Sequence, residues 1–464
     1  MQITGPVKIG EVFKTVGQPT ITYVERDHGK IELRLKNALD TSGQLCLITG
    51  PSKTGKTTLY KKVISDLRKD TLIVRCDNSL TSIEFWAKAL EAINFSRLKE
   101  LHEESKIDST FMAKIGGKLG WSWLAEAAGE VGIEITTGTS EAQIRERILA
   151  NPSPTHLIPV LKRLPLVLVI EDFHYLKKDV AETIFQQWKA FVDEEVSVII
   201  VGTTHHAVDI VSANKDLLAR KCHIDLDKWQ SEDLQRIVEK GFKYLGVNIS
   251  STQIDRIAKE SVGLPIITQQ VCETMFIEQG ILIFNDILTV DTSDQIIAKS
   301  LSRVAKEKYG ELEQYYNRLV TGPRKRARKF DTYEMVLSCF SMEPIQFELS
   351  RHLIKQRLSS IKNFNGKIPP DPSINAMLRA LDKFQKDRGF ELLEWHEQDR
   401  ILYMLEPSFM FYLRWRNKDD NDNVNSLLKH FRVSTFESVL ENFFLEFKSI
   451  DRIMPANKNL KLED

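Results

Sequence analysis

A run of apolar and β-branched residues, Leu45–Thr49, leads without a spacer into Gly50-Pro51-Ser52-Lys53-Thr54-Gly55-Lys56-Thr57, and Leu59-Tyr60-Lys61-Lys62-Val63 follows in helical register. Few local patterns restrict a fold as tightly. The spacing is G-x-x-x-x-G-K-[ST], and a strand before it with a helix after it is the context in which that spacing cradles phosphates. The glycines let backbone N–H groups close around a β-phosphate, while the start of the helix adds positive potential. Lys56 is placed to reach the β- and γ-phosphates, and the Thr57 hydroxyl to ligate magnesium. The candidate phosphate loop therefore comprises Gly50, Pro51, Ser52, Lys53, Thr54, Gly55, Lys56, Thr57 and Thr58.

What surrounds the loop reads as a parallel sheet. Short apolar runs alternate with helical periodicity through roughly the first 230 residues. Strands are expected at Leu45–Thr49, Thr71–Cys76, Leu166–Ile170, Ser197–Val201 and Lys221–Leu226, each buried on both faces. The fold class is α/β, with a P-loop NTPase core of parallel strands flanked by helices over residues 1–228. Between the second and third strands, Ile115–Trp121 and Ala125–Gly132 are rich in glycine and alanine and read as a mobile insertion with helical pieces.

Beyond the core the period becomes helical. Helix starts at Ser231 and near Ser251, interrupted at Gly263-Leu264-Pro265, predict a helical lid over 229–300. Residues 301–417 read as a linker helix and a winged-helix domain: helices, then a hairpin pairing Phe390–Trp395 with Ile401–Leu405. Ile374, Met377, Leu378, Leu381 and Phe384 form the apolar stripe of its third helix, and Phe411, Tyr412 and Trp415 read as core of the last one. Lys418–Asn423 is a polar linker, and residues 418–464 form a tail whose amphipathic stretch is Phe436–Phe447.

Composition narrows the partners. Lysine plus arginine and aspartate plus glutamate each total 64, so no bulk field draws the chain to polyanions, and any nucleic-acid contact must be local. Cys46, Cys76, Cys222, Cys272 and Cys339 contain no C-x-x-C pair and read as buried thiols of a cytoplasmic protein. No apolar run reaches the ~20 residues of a membrane span, so no membrane partner is expected.

A second piece of chemistry lies at Leu166–Asp172, an apolar run that delivers two carboxylates to the end of a strand, where ligands bind in open parallel sheets. One carboxylate is expected to hold the metal and the other to orient an attacking water. Thr57 and Glu171 are the candidate magnesium ligands, although the sequence leaves open which acid takes which task.

In these two motifs the chain resembles the AAA+ superfamily, in particular its origin-recognition-like initiators and the signal-transducing STAND ATPases. Thr22-Tyr23-Val24-Glu25-Arg26-Asp27 stands where that branch carries an apolar-apolar-Gly-Arg-Glu motif, with Glu25 replacing the glycine and Asp27 the glutamate. The resemblance implies bound ATP or ADP with Mg2+, with Tyr23, Val24 and Arg26 near the base and Pro265 close to the nucleotide. It further implies that Thr203 or Thr204 senses the γ-phosphate, Thr204 being the catalytic candidate. Arg220 is implied as an arginine finger acting from within or on a neighbouring subunit. Such families usually order the acids Asp then Glu; the reverse order Glu171-Asp172 shortens the second acid by one methylene and predicts slow ATP hydrolysis. His174 and the pair His205-His206 lack further ligands at useful spacing and are not expected to bind metal.

The function implied is a nucleotide-dependent molecular switch, homo-oligomeric or complexed with an effector protein, of the kind STAND proteins supply in prokaryotic antiviral defence. One alternative is a DNA-binding ATPase of the initiator or transposition-regulator type. It would use Asn375, Arg379, Lys383 and Lys386 on the third helix of the winged helix, with the basic run Arg324–Lys329. The acidic hairpin tip Glu394–Asp399 weighs against a DNA backbone there. A second alternative is a scaffold with structurally bound nucleotide.

Overall fold

The computed structural model describes residues 5–41, 43–98, 119–128, 140–202, 220–285, 289–322, 332–362, 368–416 and 432–433. The chain divides into two compact units, Met1–Asp294 and Gln295–Asp464.

The strands of the first unit are β1 (Val7–Lys8), β2 (Leu45–Thr49), β3 (Asp70–Arg75), β4 (Leu166–Glu171), β5 (Val198–Val201), β6 (Lys221–Asp225) and β7 (Ile283–Phe284). Five of them form one parallel sheet in the order β3-β4-β5-β2-β6. All five expected strands are present, each within one residue of its expected ends. Because successive strand residues point to opposite faces, the unbroken apolar runs feed two cores at once. Leu45, Leu47, Leu168, Ile170, Val198 and Ile200 pack into one, and Cys46, Ile48, Val167, Val169, Ile199 and Val201 into the other.

Helices cover both faces. On the second face lie α1 (Lys30–Asp40) and α2 (Lys56–Asp66), contributing Leu35, Leu39, Leu59, Tyr60, Val63 and Ile64. On the first lie α3 (Ser82–Glu91), α4 (Trp121–Ala127), α5 (Glu141–Ala150), α6 (Pro154–Arg163), α7 (Lys178–Gln187) and the short α8 (Lys189–Asp193), with Phe85, Trp86, Trp188 and Phe191 fully buried. Within the expected insertion, α4 begins at Trp121 and buries Trp123, Leu124 and Ala125. Residues 115–118 and 129–132 of that stretch lie outside the described residues.

Where a helical lid is expected lie α9 (Ser231–Leu245), α10 (Ser251–Glu260) and α11 (Pro265–Ile277), the first two starting at the expected Ser231 and Ser251. Proline at the first position of α11, after Gly263 at φ +78°, explains the interruption: the missing N–H is one the helix start would leave unpaired anyway. The chain's beginning is tied to this end of the unit, since β1 pairs antiparallel with β7. Phe13, Phe242 and Phe276 form a buried aromatic cluster with centroids 5.6–6.1 Å apart.

The second unit opens within α12 (Asp294–Tyr309), whose first residue closes the first unit, and continues with α13 (Leu312–Thr321). There follow α14 (Thr332–Phe340), β8 (Glu348–Ser350), α15 (Arg351–Ser360), α16 (Asp371–Lys386), the hairpin β9 (Leu393–His396) and β10 (Ile401–Met404), and α17 (Ser408–Trp415). The hairpin is close to its expected place, but β8, unanticipated in the sequence, adds a third antiparallel strand against β10. The stripe of α16 is buried as expected, and Gln385 on the same face staples the helix to the hairpin. Its Nε2 donates to the Leu393 carbonyl at 2.6 Å, and its Oε1 accepts from the Leu392 and Leu393 amides. Phe411, Tyr412 and Trp415 are core residues.

All five cysteines are free and buried. Among the described residues no helix is long and apolar enough to cross a membrane, and no cluster of metal-binding side chains occurs. The Phe436–Phe447 stretch lies outside the described residues, as do Arg324–Lys329.

Gly241 of α9 tests the packing of the lid. Glycine in a helix normally costs about 1 kcal/mol relative to alanine, but a Cβ here would overlap the fully buried Phe13 ring. Gly241→Ala is therefore expected to destabilise by about 1–3 kcal/mol, read as a lower melting temperature.

Candidate functional site

The phosphate loop leaves β2 at the C-terminal edge of the sheet and enters α2. Gly50 has φ +141°, and a Cβ there would overlap the Leu226 carbonyl; Gly55, at φ +95°, caps α2. Both positions demand glycine for conformational reasons independent of any ligand. Thr54 is fully buried and turned inward, its hydroxyl donating to the Pro51 carbonyl at 2.9 Å. Lys56 Nζ donates to the carbonyls of Gly50 and Pro51 at 2.7 and 2.6 Å, holding the ammonium over the loop. Ser52, Lys53, Gly55, Lys56, Thr57 and Thr58 line a cavity of about 530 Å3.

At one wall of this cavity β4 presents the two acids. Glu171 is buried and fully engaged: Oε1 accepts from the Thr57 hydroxyl at 3.1 Å and the Tyr60 hydroxyl at 2.8 Å, and Oε2 accepts from Arg75 Nε at 3.1 Å. Burial, then the neighbouring carboxylate, raises the Tyr60 pKa, so that hydroxyl remains a donor. Asp172 sits in the left-handed region at φ +59° and also lines the cavity. Burial and the charge of Glu171 raise its pKa, partly offset by Lys56 and Arg75. The two acids thus differ in surroundings, Glu171 bonded to the loop threonine and Asp172 turned toward the cavity. The hydroxyl of Thr57 and the carboxylate of Glu171, 3.1 Å apart, are hard oxygen donors of the type magnesium takes.

The other walls join the early chain to the lid. Tyr23, Val24, Arg26 and Pro265 all line the same cavity, together with Thr22, Glu32, Trp229, Ile237, Ile266 and Gln269. Val24 is buried against Leu234, Ile237 and Ala258. Arg26 donates from Nη2 to the Asp227 and Lys228 carbonyls at 2.9 and 3.4 Å, and its guanidinium lies 5.2 Å from the Trp229 ring centre. Arg236 and Lys240 of α9 donate to the carbonyls of Glu25 and Tyr23. Trp229 links loop and lid directly: its indole N–H donates to the Thr54 carbonyl at 2.9 Å, and its backbone N–H to the Gly263 carbonyl at 3.0 Å.

Arg220 lies apart from these residues. It immediately precedes β6, whose first residue pairs with Leu45 at the start of β2, so it lies at the edge of the sheet opposite the phosphate loop. There it donates to the Val192 carbonyl at 3.1 Å and does not line the cavity. Thr203, Thr204, His205 and His206 lie outside the described residues.

Tyr60, Arg75, Trp229 and Gln269 escaped the sequence reading. For Tyr60 a signal existed: three residues after Thr57 is nearly one helical turn, so both hydroxyls reach the same carboxylate. Trp229 offered only its place between the last strand and the first lid helix. If its indole N–H arranges the loop for phosphate, Trp229→Phe should weaken magnesium-nucleotide binding up to about fivefold, the worth of one hydrogen bond. Unchanged affinity by titration calorimetry would contradict that role.

Residues 39–211 match the family model described as "AAA domain". No curated protein sequence matches the chain. Among solved structures, a Walker-type ATPase of Pyrococcus abyssi superposes with a TM-score of 0.50 at 14% identity, covering 87% of this chain and 99% of that one. The Orc1 protein of Aeropyrum pernix in complex with DNA gives 0.39 at 12%, covering 89% and 96%. The RuvB Holliday junction branch migration motor of Thermotoga maritima gives 0.36 at 14%, covering 77% and 98%. The sheet order, the loop at the end of β2 and the acids at the end of β4 give this chain the fold of a P-loop NTPase, with an AAA domain match spanning the sheet from β2 to β5.

Proposed function

We propose that the chain is a magnesium-dependent ATPase of the AAA+ kind that works as a slow nucleotide switch and recruits or regulates a partner. The observation that carries this is the composition of the cavity: phosphate-loop residues form one side, and lid residues Ile237, Pro265 and Gln269 another. A ligand that fills it touches both, so occupancy biases the position of the lid, and differential contacts of this kind are what a switch requires.

In this reading Lys56 binds the β- and γ-phosphates and Thr57 and Glu171 hold the metal, which would neutralise charge on the transferred phosphoryl group. Asp172, the acid facing the cavity, orients the water that attacks the γ-phosphorus and takes its proton as ATP and water become ADP and phosphate. An aspartate here reaches less far than a glutamate, and its backbone is held in a strained region. Both favour slow turnover. Arg220 would act only on the nucleotide of a neighbouring copy.

The second unit, read as a winged helix, supports an internal role better than base readout. Arg379 pairs with Glu397 of the hairpin at 2.8 Å, Lys386 lies 3.8 Å from Glu391, and Asn375 accepts from Arg351 at 2.7 Å. These exposed pairs are individually weak, yet they place acid beside Arg379 and Lys386 on the face that would enter a groove.

The test is steady-state ATP hydrolysis with and without duplex DNA. Expected are turnover below about 10 per second, the enzyme median, no stimulation by DNA, and a loss of at least about 100-fold in Asp172→Asn with ATP still bound. Strong, salt-sensitive stimulation by DNA would favour the initiator-type reading. Absence of turnover with retained nucleotide would favour a structural one.

A further inference from the structure

Two cavity-lining side chains each carry a buried polar atom without a hydrogen-bond partner: Oε2 of Glu32 and Nη1 of Arg26. Neither side chain is loose. Glu32 Oε1 accepts from the Tyr23 hydroxyl at 2.7 Å, and Arg26 Nη2 is anchored on the Asp227 carbonyl. Tyr23 is itself held as a donor, since burial and then the Glu32 hydrogen bond raise its pKa. Buried polar atoms are nearly always paired, because leaving them unpaired costs free energy that folding does not recover. One open acceptor and one open donor at a shared cavity therefore describe the polar edge of what belongs there.

We propose that Glu32 is the residue by which this site selects adenine over guanine. The inference rests on the nucleotide reading above. Adenine presents an amine beside a ring-nitrogen acceptor. The amine donates to Glu32 Oε2, and the ring nitrogen accepts from Arg26 Nη1. Guanine presents a carbonyl where adenine has its amine, setting oxygen against oxygen. Its N–H pair would need both carboxylate oxygens, and Tyr23 already holds one. The apolar Val24, Ile237 and Pro265 supply faces for the purine ring.

The experiment is displacement of a fluorescent ATP analogue by the magnesium complexes of ATP, GTP, 2′-deoxy-ATP and inorganic tripolyphosphate. It uses the full chain, Glu32→Gln, which conserves volume, and Tyr23→Phe, which frees Glu32 Oε1. Wild type is expected to favour ATP over GTP by about tenfold or more, the worth of one charge-assisted hydrogen bond. Glu32→Gln should narrow that preference to about threefold or less by weakening ATP and 2′-deoxy-ATP alike, with tripolyphosphate unaffected; Tyr23→Phe should narrow it partway. The proposal is overturned by an unchanged preference in Glu32→Gln, by equal binding of ATP and GTP to wild type, or by a loss seen with ATP but not 2′-deoxy-ATP, which would place Glu32 on the ribose. It is also overturned if both variants lose tripolyphosphate in step with ATP. Failure of wild type to bind any of the four would instead overturn the nucleotide reading itself.

Discussion

A buried carboxyl group needs hydrogen-bond partners, and Glu171 has three: Thr57, Tyr60 and Arg75. Those bonds run from the end of β4 to the first turn of α2 and to the end of β3. They join the acid strand to the phosphate-loop helix across the C-terminal edge of the sheet, although β5 separates β4 from β2. The phosphate loop is thereby fixed against the acids, and the cavity acquires its chemical polarity: ammonium and helix start on one side, carboxylates on the other.

From that edge the structure builds toward the lid through Trp229. Its indole touches the loop at Thr54, its backbone touches the Gly263 turn, and Arg26 lies over its ring. The early chain adds its own ties, since α9 reaches back to the carbonyls of Tyr23 and Glu25. The cavity is thus assembled from an early segment, a sheet edge and the helices that follow the sheet.

Much of this was legible because the two strongest signals are local. Strands buried on both faces are unbroken apolar runs, and the loop is a spacing. Strand ends drifted by one residue because the pattern marks burial, whereas strands end where pairing ends. Tyr23, Val24, Arg26 and Pro265, distant in sequence, do line one cavity. What stayed hidden depends on tertiary neighbours: Trp229 and Glu32 belong to no motif, and β8 is too short to show alternation. Arg220 is instructive in the other direction. A residue just before a parallel strand must sit at the edge opposite the ligands, so its distance from the loop of its own chain follows from chain order alone.

In the proposed function, one ammonium group and a backbone cradle hold a magnesium-bound triphosphate at the mouth of the sheet. Titration calorimetry of the protein and of Lys56→Ala with ATP, with and without magnesium, tests it most directly. Expected is magnesium-dependent binding that the substitution weakens by about 10- to 100-fold, the worth of a hydrogen bond to a charged group. Binding that survives the substitution unchanged, or that ignores magnesium, would contradict it.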